Sequence, residues 1–180
     1  LKLIDSPQRI DTKLIEEELK TSERVILQFV DEVYSDSMLK ELDQLCAKHA
    51  KNLVIRFYGH YKGTFDAQTL QHLPHVKALH LDCLRQVDNL EVLGELKHLK
   101  QLSLGVYGLR EKEIFQAPNL YQLERLFIGE TKIKGLNLEY LEHYQGLKIL
   151  GIHGHRKNIE VVGKLKNLET LRLNSISKVP

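Results

Sequence analysis

The run His80-x-Asp82-Cys83 brings an imidazole, a carboxylate and a thiol within four positions of each other. A carboxylate beside a histidine is the pairing of general-base chemistry, because it orients the ring and stabilises its protonated form. Residues i and i+2 of a strand stand about 6.5 Å apart, however, and an open sheet surface excludes little water. A nucleophile with an assigned base is missing, so catalysis is not expected, and Cys83 reads as an ordinary thiol. Cys46 and Cys83 also fall outside any metal-ligand or CxxC spacing, which fits a reducing compartment and a cytoplasmic location. No cofactor is implied.

Composition narrows the class without naming a partner. At 180 residues, 42% apolar and 28% charged, the chain suits one soluble folded domain. No apolar run approaches the length of a membrane span, and the N-terminus lacks a secretory-signal pattern. The formal net charge is +2. Up to residue 75 there are 10 basic and 12 acidic residues, and beyond it 16 and 12. That asymmetry is too mild to make nucleic acid or an acidic membrane the main partner.

The elements that must position these residues emerge from a repeat. In register the chain reads Val76-x-x-Leu79-x-Leu81, Leu99-x-x-Leu102-x-Leu104, Leu123-x-x-Leu126-x-Ile128, Leu147-x-x-Leu150-x-Ile152 and Leu168-x-x-Leu171-x-Leu173. The markers 79, 102, 126, 150 and 171 step by 23, 24, 24 and 21 residues. Leu53, Ile55 and Phe57 extend the series backward, as do Val25, Leu27 and Phe29. Alternate residues of a strand face one side, so the apolar positions of each unit enter a core while the residue between them faces out. One unit cannot bury that face alone, and stacked units give a parallel sheet with a continuous interior.

This pattern resembles the leucine-rich repeat family, whose unit is L-x-x-L-x-L-x-x-N/C-x-L, from about residue 25 to 180. The resemblance implies an α/β solenoid: a curved parallel sheet with helices and short turns on its convex side. About seven strands are expected, near residues 25–29, 53–57, 77–81, 100–104, 124–128, 148–152 and 169–173, as one continuous domain over 25–180. Residues 1–24 are expected to form an N-terminal cap, an edge strand at Leu1–Ile4 aligned Leu3 to Leu27, then a helix over Asp11–Lys20. A longer helix is expected over Ser35–Ala50, with Met38, Leu39, Leu42, Leu45 and Cys46 on one face. The family's Asn/Cys position is occupied by Leu84, Tyr107, Thr131, His155 and Ile176, so its asparagine ladder is expected to be absent.

In this family the outward positions form a concave face that holds partners. Its central column runs Gln28, Arg56, His80, Ser103, Phe127, Gly151, Arg172. The flanking columns run Val30, Tyr58, Asp82, Gly105, Gly129, His153, Asn174 and Ile26, Val54, Ala78, Gln101, Arg125, Ile149, Thr170. Aromatic and arginine side chains, the usual interface anchors, recur among them. The expected protein-binding residues are Arg56, Tyr58, His80, Asp82, Gln101, Arg125, Phe127, His153, Arg172 and Asn174.

His153-Gly154-His155 carries two potential metal ligands, but the register sends His153 outward and His155 inward, and no third ligand is evident. Metal binding is not expected there, and His60 has the same reading. Arg85, Arg110, Lys112, Lys132, Lys134, Arg156, Lys157 and Lys178 line one edge, with Glu111, Glu113 and Glu130 among them, too mixed in sign for a DNA track. The expectation is a non-enzymatic module binding another protein through its concave face. An immunity protein or inhibitor that blocks a toxin or enzyme, and a recognition segment of a longer chain, are narrower forms of it. An apolar last strand also leaves room for a homodimer paired along that edge.

Overall fold

The computed structural model describes residues 1–31, 34–49, 52–59, 63–110, 113–132, 136–154 and 156–175. In chain order the strands are β1 (Lys2–Asp5), β2 (Val25–Val30), β3 (Leu53–Tyr58), β4 (Phe65–Asp66), β5 (Ala78–Leu84) and β6 (Val87–Asp88). They continue with β7 (Gln101–Val106), β8 (Arg125–Ile128), β9 (Leu136–Asn137), β10 (Ile149–His153), β11 (Arg156–Lys157) and β12 (Thr170–Asn174). The α-helices are α1 (Thr12–Thr21) and α2 (Asp36–Lys48).

Among the described residues eight strands form one parallel sheet in the order β1-β2-β3-β5-β7-β8-β10-β12. From β2 to β12 the repeat markers keep register, with Leu27 opposite Ile55, then Leu79, Leu102, Leu126, Leu150 and Leu171; past Leu81 the β5–β7 pair shifts, and Leu84 lies opposite Val106. Every expected strand is present to within a residue or so, and β5 and β7 run further than expected. The inward side chains build the interior: Leu126 is 1% exposed, and Leu79 and Leu150 are fully buried. One apolar cluster extends from Ile10 to Leu165.

The first strand corrects the expected register by one residue. Ile4, not Leu3, lies opposite Leu27. Side chains alternate along a strand, so that slip exchanges its faces: Ile4 packs against the core and Leu3 is 48% exposed.

The two α-helices follow their caps. The Asp11 side chain accepts from the Leu14 N–H, and Ser35 Oγ accepts from the Met38 N–H, each satisfying an orphan donor of the first turn. Helix α2 buries Leu39, Leu42, Leu45 and Cys46, the face expected from their spacing; Ala50, the expected last residue of the helix, lies outside the described residues. Its carboxyl end is tied to the next repeat by Lys77, whose ammonium donates to the carbonyls of Cys46, at 2.8 Å, and His49.

Later connectors are too short for an α-helix and turn back as 3-10 segments, among them Leu90–Glu95, Pro118–Gln122 and Ile159–Lys164. Two isolated asparagine bonds join neighbouring turns, at residues other than the family position. Asn89 Nδ2 donates to Asp66 Oδ1, and Asn158 Nδ2 donates to Asn137 Oδ1, both at 2.8 Å. Asn89 and Asn158 adopt the left-handed backbone conformation that asparagine tolerates. They sit where the minor pairs β4–β6 and β9–β11 lead into the 3-10 turns.

Candidate functional site

Parallel register sets the outward side chains of successive strands side by side, and on the first five strands of the sheet these bond to one another. Gln28 Nε2 donates to Asp5 Oδ1 at 3.1 Å, and Arg56 Nη1 donates to Gln28 Oε1 at 3.0 Å. Arg56 Nε then donates to Asp82 Oδ2 at 3.0 Å, while Ser103 Oγ donates to Asp82 Oδ1 at 2.6 Å. The Arg56 guanidinium also lies 4.5 Å from the centre of the Tyr58 ring. One polar chain thus crosses β1, β2, β3, β5 and β7.

Curvature closes part of this face. Val54 and Ala78 point outward by register yet are fully buried, and Gln101 is only 4% exposed. Arg24, just before β2, reaches across to donate to Gln101 Oε1 at 3.4 Å. Burial and the nearby Arg125 charge hold the Arg24 guanidinium below its ordinary pKa. The repeat columns did not reveal Arg24, because it lies ahead of the strand.

Farther along, the outward face opens. Gly105 and Gly129 occupy the same outward column on adjacent strands, and a Cβ on Gly129 would lie 2.9 Å from Gly105 Cα. Their missing side chains floor a groove of about 660 Å³. Arg56, Asp82 and Ser103 line one part of it, and Phe127 and the half-exposed Tyr107 another. Phe127 lies over Gly151, where a Cβ would come 2.3 Å from the ring. A second cavity, about 280 Å³, shares Asp82, Ser103 and Phe127 with the groove. Arg24, Arg125 and Arg172 converge on it.

Arg56, Asp82 and Phe127 meet in the groove, while His80, Asp82, Gln101, Arg125, Phe127 and Arg172 meet in the smaller cavity. Tyr58 supports Arg56 outside both linings. His153 and Asn174 are register partners away from either cavity. Gln101 carries Arg24 and presents little surface of its own. On the rim Arg85, Arg110 and Lys132 are exposed. His60, Glu111, Lys112, Lys134, His155, Ile176 and Lys178 lie outside the described residues.

The carboxylate–imidazole pair does not assemble a triad. His80 Nδ1 lies 3.6 Å from Asp82, and Ser103 gives its proton to Asp82 instead of the ring. A nucleophilic hydroxyl must instead donate to the base. The His80 pKa is lowered, first by burial and then by Arg24 and Arg56, with Asp82 opposing. The Cys46 thiol is pushed up to about 12, mainly by burial, which makes it a packing residue. Among the described residues no helix is long and apolar enough to cross a membrane.

No family model matches the chain, and no curated protein sequence matches it. Among solved structures it is similar to an internalin (inlF) from Listeria monocytogenes, with 19% identity and a TM-score of 0.57. That likeness covers 98% of this chain and 48% of the internalin chain, so this chain spans about half the length of that structure. An internalin C2 from the same organism has 19% identity and a TM-score of 0.44, over 72% of this chain and 66% of its own. A TLR13–ssRNA13 complex has 16% identity and a TM-score of 0.47, over 99% of this chain and 33% of its own.

Proposed function

The chain folds as a leucine-rich repeat solenoid, and from that premise we propose that it is a non-enzymatic module that binds another protein through the concave sheet and the loops along its rim. The observation that carries this reading is the groove over Gly105 and Gly129. A rigid, hydrogen-bonded wall and an aromatic wall flank a floor without side chains. Such a surface admits a protruding side chain at little cost in ordering, because its polar groups are already held.

Size argues for help from the rim. Eight strands give seven intervals of about 4.8 Å, and about 17 Å along each strand makes a face of roughly 570 Å². A standard interface uses about 800 Å² per partner. Exposed rim residues such as Arg85, Arg110 and Lys132 supply the difference. In this reading residues 1–24 cap the amino-terminal end, and the two unpaired cysteines support a cytoplasmic setting.

The test is affinity for a partner identified by affinity purification from the native cell. Phe127→Ala and Arg172→Ala together should weaken that complex about a hundredfold, the effect of losing two interface anchors. Unchanged affinity with an intact fold would remove the concave face from the interface.

A further inference from the structure

The smaller cavity carries an electrostatic imbalance that the fold does not resolve. Arg24 arrives from ahead of β2, Arg125 from the first residue of β8 and Arg172 from the middle of β12. Three guanidiniums therefore face one cavity of about 280 Å³ whose lining includes a single carboxylate, Asp82. Both oxygens of that carboxylate are occupied, one by Arg56 and the other by Ser103. No carboxylate among the described residues forms an ion pair with Arg24, Arg125 or Arg172. Arg125 and Arg172 are exposed, whereas Arg24 is half-buried and crowded by the charge of Arg125, which outweighs the opposing charge of Glu23. An anion seated among the three would relieve that crowding and form charge-assisted hydrogen bonds in a partly desolvated setting.

We infer that this cavity receives an acidic segment of a protein partner, its carboxylates on Arg24, Arg125 and Arg172 and an adjacent apolar side chain in the glycine-floored groove beside Phe127. The inference rests on the protein-binding reading above and adds the chemistry of the partner. Continuity supports pairing the two subsites, since Asp82, Ser103 and Phe127 line both cavities. A peptide is favoured over a nucleic acid because Glu130 lines the groove and not the arginine cavity, so it would repel a phosphate backbone continuing into the groove but leaves an apolar side chain there unopposed. The three arginines also gather at one spot, not along a track. Guanidinium forks suit carboxylates, and the apolar floor suits an aliphatic or aromatic side chain.

The probe is a random dodecapeptide library displayed on phage and selected against the full chain, followed by affinity measurements on synthetic copies of the enriched peptides. Expected are peptides with Asp or Glu next to an apolar residue. Their affinity should fall about tenfold or more in a variant carrying Arg125→Glu and Arg172→Glu, and also in Phe127→Ala. Replacing the peptide's acids by lysine should restore binding to the Arg→Glu variant. Circular dichroism shows that each variant is folded before its affinity is read. Peptides that need Phe127 but carry no acidic residue and ignore the arginines would overturn the inference while leaving the concave face as the binding surface. Peptides indifferent to all three positions would overturn both. Poly(U) RNA bound more tightly than any selected peptide, through the same arginines, would replace the protein segment by a nucleic acid. A selection with no enrichment over uncoated support would also count against the inference.

Discussion

Strands β2 to β5 and strands β8 to β12 carry the same inward apolar pattern, but they treat their outward residues differently. On the first group the outward side chains bond to each other: Gln28, Arg56 and Asp82 form one chain, and Val54 and Ala78 are fully buried. On the second, Gly129 and Gly151 leave gaps, Phe127 lies flat over one of them, and Arg125 and Arg172 have no anionic partner among the described residues. The same repeat thus supports a surface whose side chains bond to one another and a surface with gaps and, among the described residues, unpaired guanidiniums. Fold and the proposed recognition are separable because alternation sends the residues of each to opposite faces of a strand.

If the core is common to both groups, equivalent leucines in each should matter alike. Leu79→Ala and Leu150→Ala, both fully buried, should each cost about 2–5 kcal/mol in a urea titration. A large loss at one and none at the other would break the equivalence.

The outward faces should respond unequally. Asp82→Ala removes the acceptor of Arg56 and Ser103 and should cost about 1–3 kcal/mol, since it leaves part-buried donors unpaired. Arg172→Ala, on an exposed side chain, should stay within about 0.5 kcal/mol of the parent. Equal losses would erase the distinction between a self-bonded and an open surface.

The glycine floor offers a finer comparison. Gly129→Ala brings a Cβ against the Gly105 backbone and should cost about 1 kcal/mol, the lower end of what overpacking costs. A Cβ on Gly163 meets nothing within 4 Å, and Gly163→Ala should be neutral within about 0.5 kcal/mol. Matching losses at the two glycines would argue against close strand contact beneath the groove.

The smallest effect concerns pH. The folded pKa of His80 lies below its ordinary value of 6.5, so the unfolded chain takes up the proton first as pH falls. The stability His80 confers is complete above that value and is lost as pH drops toward the folded pKa. The urea midpoint should therefore fall less steeply in His80→Asn than in the parent between about pH 7 and about pH 5. Identical slopes would mean that the imidazole is not held neutral by burial.

Sequence periodicity located the sheet because an inward leucine leaves the same mark wherever it occurs. The outward columns were legible for the same reason, down to Gly105 and Gly129 sharing one of them. What escaped depends on geometry between repeats. Curvature lets Arg24 span three strand intervals to Gln101, and no column contains it. Strand β1 carries only Leu3 and Ile4 as apolar markers, too few to fix a register to one residue. The two asparagine bonds escaped because Asn89 and Asn158 lie in the turns, where spacing varies from repeat to repeat.

Protein contact at the open groove is the central claim, and site-specific photocrosslinking in the native cell tests it most directly. A photoreactive amino acid replaces Tyr107 on the groove lining or, in a separate chain, the exposed Glu160 on the 3-10 turn behind the sheet. Position 107 is expected to give a discrete protein adduct that disappears with Arg125→Glu and Arg172→Glu, and position 160 to give none. An adduct at position 160 alone would place the partner on the convex side and contradict the groove as the binding surface.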